Sequence, residues 1–217
     1  MTLERFINKN GVVAPRYERK FLLRSGQLQE LSVRLRFLGF HETYKSRTVH
    51  SVYFDDLHYS AMRDNIDGNP VRDKLRVRYY DNDMSSTNIE IKHKRSYLGY
   101  KTNIPIQTSN SSLSAVLSTA DSWCRQHLDI IMVPTAYVEY DRQYLECGWL
   151  RATCDMKVTG GRLIGSEIIY GIMPPYEVLE FKYPSHYDEE FRFFYRSISD
   201  LLMRNTKSSK YTNSLIS

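Results

Sequence analysis

The sequence predicts an α+β fold, a small closed β-barrel with helices packed on its outside. Three observations point there. Eight or nine short segments alternate ionic and apolar residues with the period of a strand. The few helical segments carry well-formed apolar stripes that need a sheet to cover. The chain of 217 residues also holds seventeen tyrosines and nine phenylalanines, flat rings that pack well on a pleated surface.

The strand candidates are 16–23, 48–54, 72–80, 87–95, 101–106, 136–146, 149–157, 161–169 and 177–183. Their number is about what a small closed barrel needs. Helices are expected at four places. Over 26–38, Leu28, Leu31, Leu35 and Leu38 share one stripe, with Ser25 as the expected N-cap. A short helix is expected over 57–66. Asp55 and Asp56, which end the preceding strand, read as helix caps rather than metal ligands. Over 113–128 the apolar set is Leu113, Val116, Leu117, Trp123 and Leu128, entered from a Ser/Thr-rich loop. The last helix opens on Ser185 with Asp188 three residues on, a capping-box spacing. Phe191, Phe194, Tyr195, Ile198, Leu201 and Leu202 form its buried stripe.

No repeat or linker interrupts the chain, so 1–217 reads as a single domain. The net charge of +5 suits a polyanionic partner without identifying one. Three cysteines, with no CxxC spacing, argue against a disulfide framework or a zinc site and for a reducing, cytoplasmic setting. A polar N-terminus and no long apolar run predict neither a signal peptide nor a membrane span. No GxxxxGK[ST], GxGxxG or GxSxG occurs, and the six histidines lack HxxxH or HExxH spacing. P-loop, Rossmann, nucleophile-elbow and histidine-metal chemistries are therefore not expected.

The informative pattern is on the strands, where successive side chains point to opposite faces. Lys74, Arg76 and Arg78 oppose Leu75, Val77 and Tyr79. Glu90, Lys92 and Lys94 oppose Ile89 and Ile91. Arg16, Glu18 and Lys20 oppose Tyr17 and Phe21. Glu180 and Lys182 oppose Leu179, Phe181 and Tyr183. Arg151, Thr153, Asp155 and Lys157 oppose Ala152, Cys154 and Met156. A half-buried strand commonly shows this alternation with its ionic face in water. Two features favour the opposite sense. The ionic faces hold few of the Ser, Thr and Gln that dilute outer faces, and the helices need the apolar faces beneath them. The charges then line a wet lumen. Like charges held that close repel by several kcal/mol, which makes sense when a polyanion occupies the space. Glu18, Glu90 and Glu180 offset part of the repulsion and are hard-oxygen ligands suited to Mg²⁺ or Mn²⁺.

In their order and spacing, RYERKF, SVYFDD, GNPVRDKLRVRYY, EIKHKR, VEYDRQYL, RATCDMK, VLEFKYP and SSKY, from Arg16 to Tyr211, resemble the polyphosphate polymerase domain of the vacuolar transporter chaperone (VTC) complex. That domain falls within the triphosphate tunnel metalloenzyme (CYTH-like) superfamily. The resemblance implies an eight-stranded antiparallel tunnel with helices outside. It implies that Lys20, Arg76, Arg78, Lys92, Lys101, Tyr140, Arg142, Lys207, Ser209 and Lys210 contact phosphate oxygens and that Glu180 binds metal, with Glu18 and Glu90 as further candidate ligands. Lys74, Lys94, Arg151 and Lys182 join the substrate-binding set from the strand pattern. Two positions depart from the family. Asn103 stands where a Lys-x-Arg would place arginine, and Arg16 stands where many tunnel triphosphatases have the first glutamate of ExExK.

The implied activity is divalent-metal-dependent transfer of the terminal phosphoryl group of ATP to inorganic polyphosphate, with Lys20, Arg76, Arg78, Lys92, Arg142 and Lys210 as the catalytic cations. A triphosphatase in which water attacks, a non-catalytic module that binds polyphosphate, and a basic barrel without ligand are the alternatives. Nucleic acid is not the expected partner.

Overall fold

In the computed structural model the described residues are 16–24, 26–96, 98–108, 112–173, 176–202 and 209–216. Among the described residues there are nine strands and five α-helices. The strands are β1 (Arg16–Arg24), β2 (His41–Asp56), β3 (Val71–Tyr80), β4 (Asp83–Arg95), β5 (Leu98–Ile106), β6 (Met132–Cys147), β7 (Leu150–Ile164), β8 (Glu167–Tyr170) and β9 (Tyr176–Pro184). The helices are α1 (Gln27–Phe37), α2 (Ser60–Ile66), α3 (Leu113–His127), α4 (Asp188–Arg196) and α5 (Lys210–Ile216).

The strands hydrogen-bond in the order β6-β2-β3-β4-β5-β1-β9-β7-β8, and β6 also pairs with β7. Eight antiparallel strands therefore close a ring, and β8 hangs from β7 as a short hairpin. The tunnel architecture expected from the sequence is thus present. The expected strand 161–169 is two pieces, the end of β7 and β8, because the chain turns at Gly165, whose φ of 62° is a left-handed conformation that glycine tolerates.

The apolar strand faces point outward and are covered by helices. α3 lays Val116, Leu117, Ala120 and Cys124 on Val52, Phe54, Leu75, Val77, Ile89 and Ile91. α1 and α4 bring Leu28, Leu31, Leu35 and Phe191 against Phe21, Leu23, Leu179, Phe181 and Tyr183. Each buried Val, Leu, Ile or Phe among these contributes about 1.5–3 kcal/mol.

Several helix details differ from the sequence reading. Ser25 lies outside the described residues, and α1 begins after Gly26 with no side-chain cap. Asp55 and Asp56 do cap: their carboxylates accept the backbone N–H groups of Ala61 and Met62, and of His58 and Ser60. The capping box at Ser185 does not form. Ser185–Tyr187 is a 3₁₀ turn, and the Asp188 carboxylate is taken by Arg19 at 2.7 Å and Tyr183 at 2.8 Å. The helix stops at Arg196, and a second 3₁₀ turn, Ser199–Leu201, carries the end of the apolar stripe.

Helix α5 was not anticipated. It buries Tyr211 and Leu215 against Val49, Tyr53, Ala136, Val138, Tyr140 and Val158, on the inner side of the ring. Its seat depends on Gly160. A Cβ there would stand 2.8 Å from the Tyr137 carbonyl oxygen and 3.1 Å from Ser214 Cβ, so only glycine admits the helix this closely.

Candidate active site

Inside the ring lies a cavity of about 510 Å³. Twelve lysine and arginine side chains line it, against the carboxylates of Glu18 and Glu180. Strand alternation does this: the ionic residues of these strands turn inward while their apolar neighbours turn out under the helices.

Of the residues singled out from sequence, Lys20, Lys74, Arg76, Arg78, Lys92, Lys94, Lys101, Tyr140, Arg142, Lys182, Ser209 and Lys210 line this cavity with Glu18 and Glu180. Lys207 lies outside the described residues. Arg151 is not brought in. It is largely exposed and paired with Glu146 at 2.9 Å, because the end of β7 carries it past the cavity wall. Lys157 also leaves the ionic face. It sits at φ 50°, where the β6–β7 register shifts, and it pairs with Asp141 at 3.0 Å.

Glu90 is a correction of a different kind. Its oxygens accept from Arg76 at 2.6 and 2.8 Å and from Lys101 at 2.7 Å, with Arg78 at 3.5 Å. A carboxylate so committed is a structural counter-charge, not a free metal ligand. Burial alone would raise its pKa, but Arg78, Arg76 and Lys101 outweigh that and hold it well below the usual carboxylate range. Asn103 pairs with Glu90 in the β4–β5 register and is exposed, so three cations, not four, hold this carboxylate.

Other contacts fix the cations in place. Arg78 donates to Ser51 Oγ at 3.1 Å and to Tyr140 Oη at 2.9 Å. Arg142 donates to Asp155 at 2.6 and 2.8 Å, and Lys210 donates to the same carboxylate at 2.6 Å. Asp155 thereby ties α5 to the wall. Lys92 donates to Glu18 at 2.5 Å. Lys74 donates to Asn65 Oδ1 and Ser209 Oγ, both at 2.8 Å. Burial and the nearby Lys20 and Lys92 charges push its pKa well below the usual lysine value. Burial likewise brings Lys182 down to about 8, although Glu180 beside it acts the other way.

Glu180 and Glu18 are the two carboxylates of the lining; Lys182 Nζ stands 3.2 Å from Glu180 Oε2 and Lys92 holds Glu18 at 2.5 Å, so a divalent cation would meet Glu180 Oε1 first. The two glutamates lie diagonally across the β1–β9 pair, and Oε1 of Glu180 is buried with no hydrogen-bond partner, Lys20 Nζ standing 3.9 Å away. Two carboxylates supply hard oxygens, and phosphate oxygens and water would complete the shell.

Sequence reasoning missed Tyr53, Asn65, Arg72 and Tyr100 in the lining. Arg72 was accessible by the same alternation that gave Lys74. Tyr53 was hidden among strand aromatics; its hydroxyl accepts from Arg76 at 3.2 Å. Asn65 arrives on α2, which no strand pattern reveals.

Comparison with known proteins is consistent with this geometry. Among solved structures, a Pyrococcus horikoshii protein is similar at 14% identity and a TM-score of 0.57, over 91% of this chain and 98% of its own. A Bacillus halodurans protein assigned provisionally as an adenylate cyclase gives 14% and 0.57, over 89% and 94%. A Hippeastrum protein assigned provisionally as an adenylyl cyclase, with a dominant triphosphatase activity, gives 14% and 0.51, over 90% and 93%. At these identities they establish a shared fold. No curated protein matches in sequence. The VTC domain model matches residues 15–217, nearly the whole chain, and the protein belongs to the VTC domain family.

Proposed function

We propose that this protein is a polyphosphate polymerase that transfers the terminal phosphoryl group of ATP to a growing inorganic polyphosphate chain. The observation that carries the reading is the lumen in which twelve cations face four carboxylates, Glu18 and Glu180 in the lining and Glu90 and Asp155 bonded behind it. That imbalance is costly when empty and is relieved by a condensed phosphate.

Arg76, Arg78 and Arg142 present planar guanidinium forks to the phosphate oxygens, while Lys20, Lys92 and Lys210 act as point charges. They hold the donor and acceptor in line and stabilise charge on the transferring group. A terminal phosphate oxygen of the acceptor chain attacks the γ-phosphorus. The bond from that phosphorus to the β–γ bridging oxygen breaks, and ADP leaves. Mn²⁺ or Mg²⁺, held by Glu180 and Glu18, would supply neutralisation of the bridging and leaving oxygens.

The test is to incubate purified protein with ATP and Mn²⁺ and resolve the products on a gel. Long-chain polyphosphate is expected. Free phosphate without polymer would overturn the polymerase in favour of hydrolysis, and no ATP turnover beside polyphosphate binding would leave a binding module. Arg76→Ala should lower turnover about 10²–10³-fold, the usual effect of one lost donor to a developing charge. Unchanged turnover would discard the site.

A further inference from the structure

Beyond the cavity lining lies a further inward-facing cation. Arg47 of β2 lies directly opposite Arg142 of β6. Directly opposed residues of an antiparallel pair project to the same face, so Arg47 is on the lumen side, next along from a cavity arginine. Tyr80 follows Arg78 by two residues on β3 and shares its face. Register shifts on either side of Tyr44 set that residue opposite Tyr144. Arg47 Cζ then lies 5.8, 5.2 and 5.8 Å from the ring centres of Tyr44, Tyr80 and Tyr144.

The three rings hold the guanidinium by cation–π attraction, and among the described residues no acceptor takes its N–H donors. Lys20, Arg76, Lys92, Lys101, Arg142, Lys182 and Lys210 of the cavity wall are each partly neutralised by Glu180, Glu90, Glu18 or Asp155. Arg47 has no carboxylate and no hydrogen-bond acceptor within bonding reach among the described residues. The cluster is open to solvent at Tyr44, which is 54% exposed.

We infer that Arg47, framed by Tyr44, Tyr80 and Tyr144, is a further anion subsite that takes a phosphate of the chain beyond those held at Arg142. This rests on the polyphosphate reading above. A planar base fits the cluster poorly, because Tyr44 and Tyr144 meet edge to face at 83° and offer no parallel slot. An unspent guanidinium fork fits two phosphate oxygens.

Calorimetric titration of the wild type, Arg47→Ala and Arg47→Lys tests it, with tripolyphosphate and long-chain polyphosphate at one ionic strength. The wild type should bind the long chain more tightly than tripolyphosphate. Arg47→Ala should lose about 10- to 100-fold for the long chain, the range for a hydrogen bond to a charged group, and little for tripolyphosphate. Arg47→Lys should fall between. Thermal melts establish that the variants are folded; if the alanine variant is not, the lysine variant carries the comparison. Full long-chain affinity in the folded variant, or equal loss for both ligands, overturns the subsite alone. A wild type that binds neither ligand overturns the polyphosphate reading, and the subsite with it.

Discussion

Replacing Glu90 with glutamine would remove one charge and almost no volume, so the consequence is electrostatic. Glu90 is 3% exposed and stands between Arg76, Arg78 and Lys101. Taking away the acid of a buried pair costs about 3–5 kcal/mol, because the partner charges remain without compensation. For a chain of this size each kcal/mol moves the melting temperature by about 2–4 °C, so the variant should melt about 6–20 °C lower. Differential scanning calorimetry at neutral pH measures this. Tripolyphosphate should then raise the melting temperature of the variant more than that of the wild type, because it supplies the missing negative charge. The pH dependence has a definite sign. The folded pKa of Glu90 is depressed, so its stabilisation is present above the unfolded carboxylate range, about 4.3, and is lost as pH falls through the folded value. The gap between wild type and variant should therefore close on acidification. A variant that melts with the wild type at pH 7, or that tripolyphosphate stabilises no more than the wild type, would refute the reasoning.

Three further outcomes follow from the same geometry. Glu180→Gln should raise the concentration of Mn²⁺ needed for half-maximal activity, with little change in metal-free tripolyphosphate affinity; an unaltered metal titration would remove Glu180 as a ligand. Tripolyphosphate affinity should weaken as pH rises through about 8, where Lys182 loses its proton, and Lys182→Met should flatten that part of the profile; a steep profile in the variant would assign the change elsewhere. In the native protein a thiol reagent should label Cys147 alone. Burial pushes Cys124 up to about 12 and Cys154 well above the ordinary thiol value, whereas Cys147 is half-buried. Two or three labels before denaturation would contradict the packing.

The barrel and most of its lining were legible in the sequence because both depend on period 2. Lys74, Arg76 and Arg78 announce an inner face as plainly as Leu75 and Val77 announce an outer one. What escaped depends on breaks in that period or on long-range contact. Lys157 leaves the face because one positive φ resets the alternation. Arg151 keeps the right parity and still misses the cavity, since parity says nothing about height along a tilted strand. The committed state of Glu90 arises from three residues on β3 and β5. Helix α5 is seven residues long, too short for its pattern to stand out, and it is specified by the concave wall that receives it.

The ring is joined by strands far apart in the chain. β1 meets β9, with Lys20 against Glu180, and β2 meets β6, with Ser51 against Val138. Contacts of that span are slow to form, because loop-closure entropy opposes them before any favourable packing is gained. A partly folded chain therefore holds only the share of the basic cluster that the β3-β4-β5 meander brings together, and lacks Arg16, Lys20, Arg142, Lys182 and Lys210, which arrive when the ring closes. Refolding should be slow, and unfolding should be retarded by added tripolyphosphate, since the anion meets its full set of cations only in the finished circle.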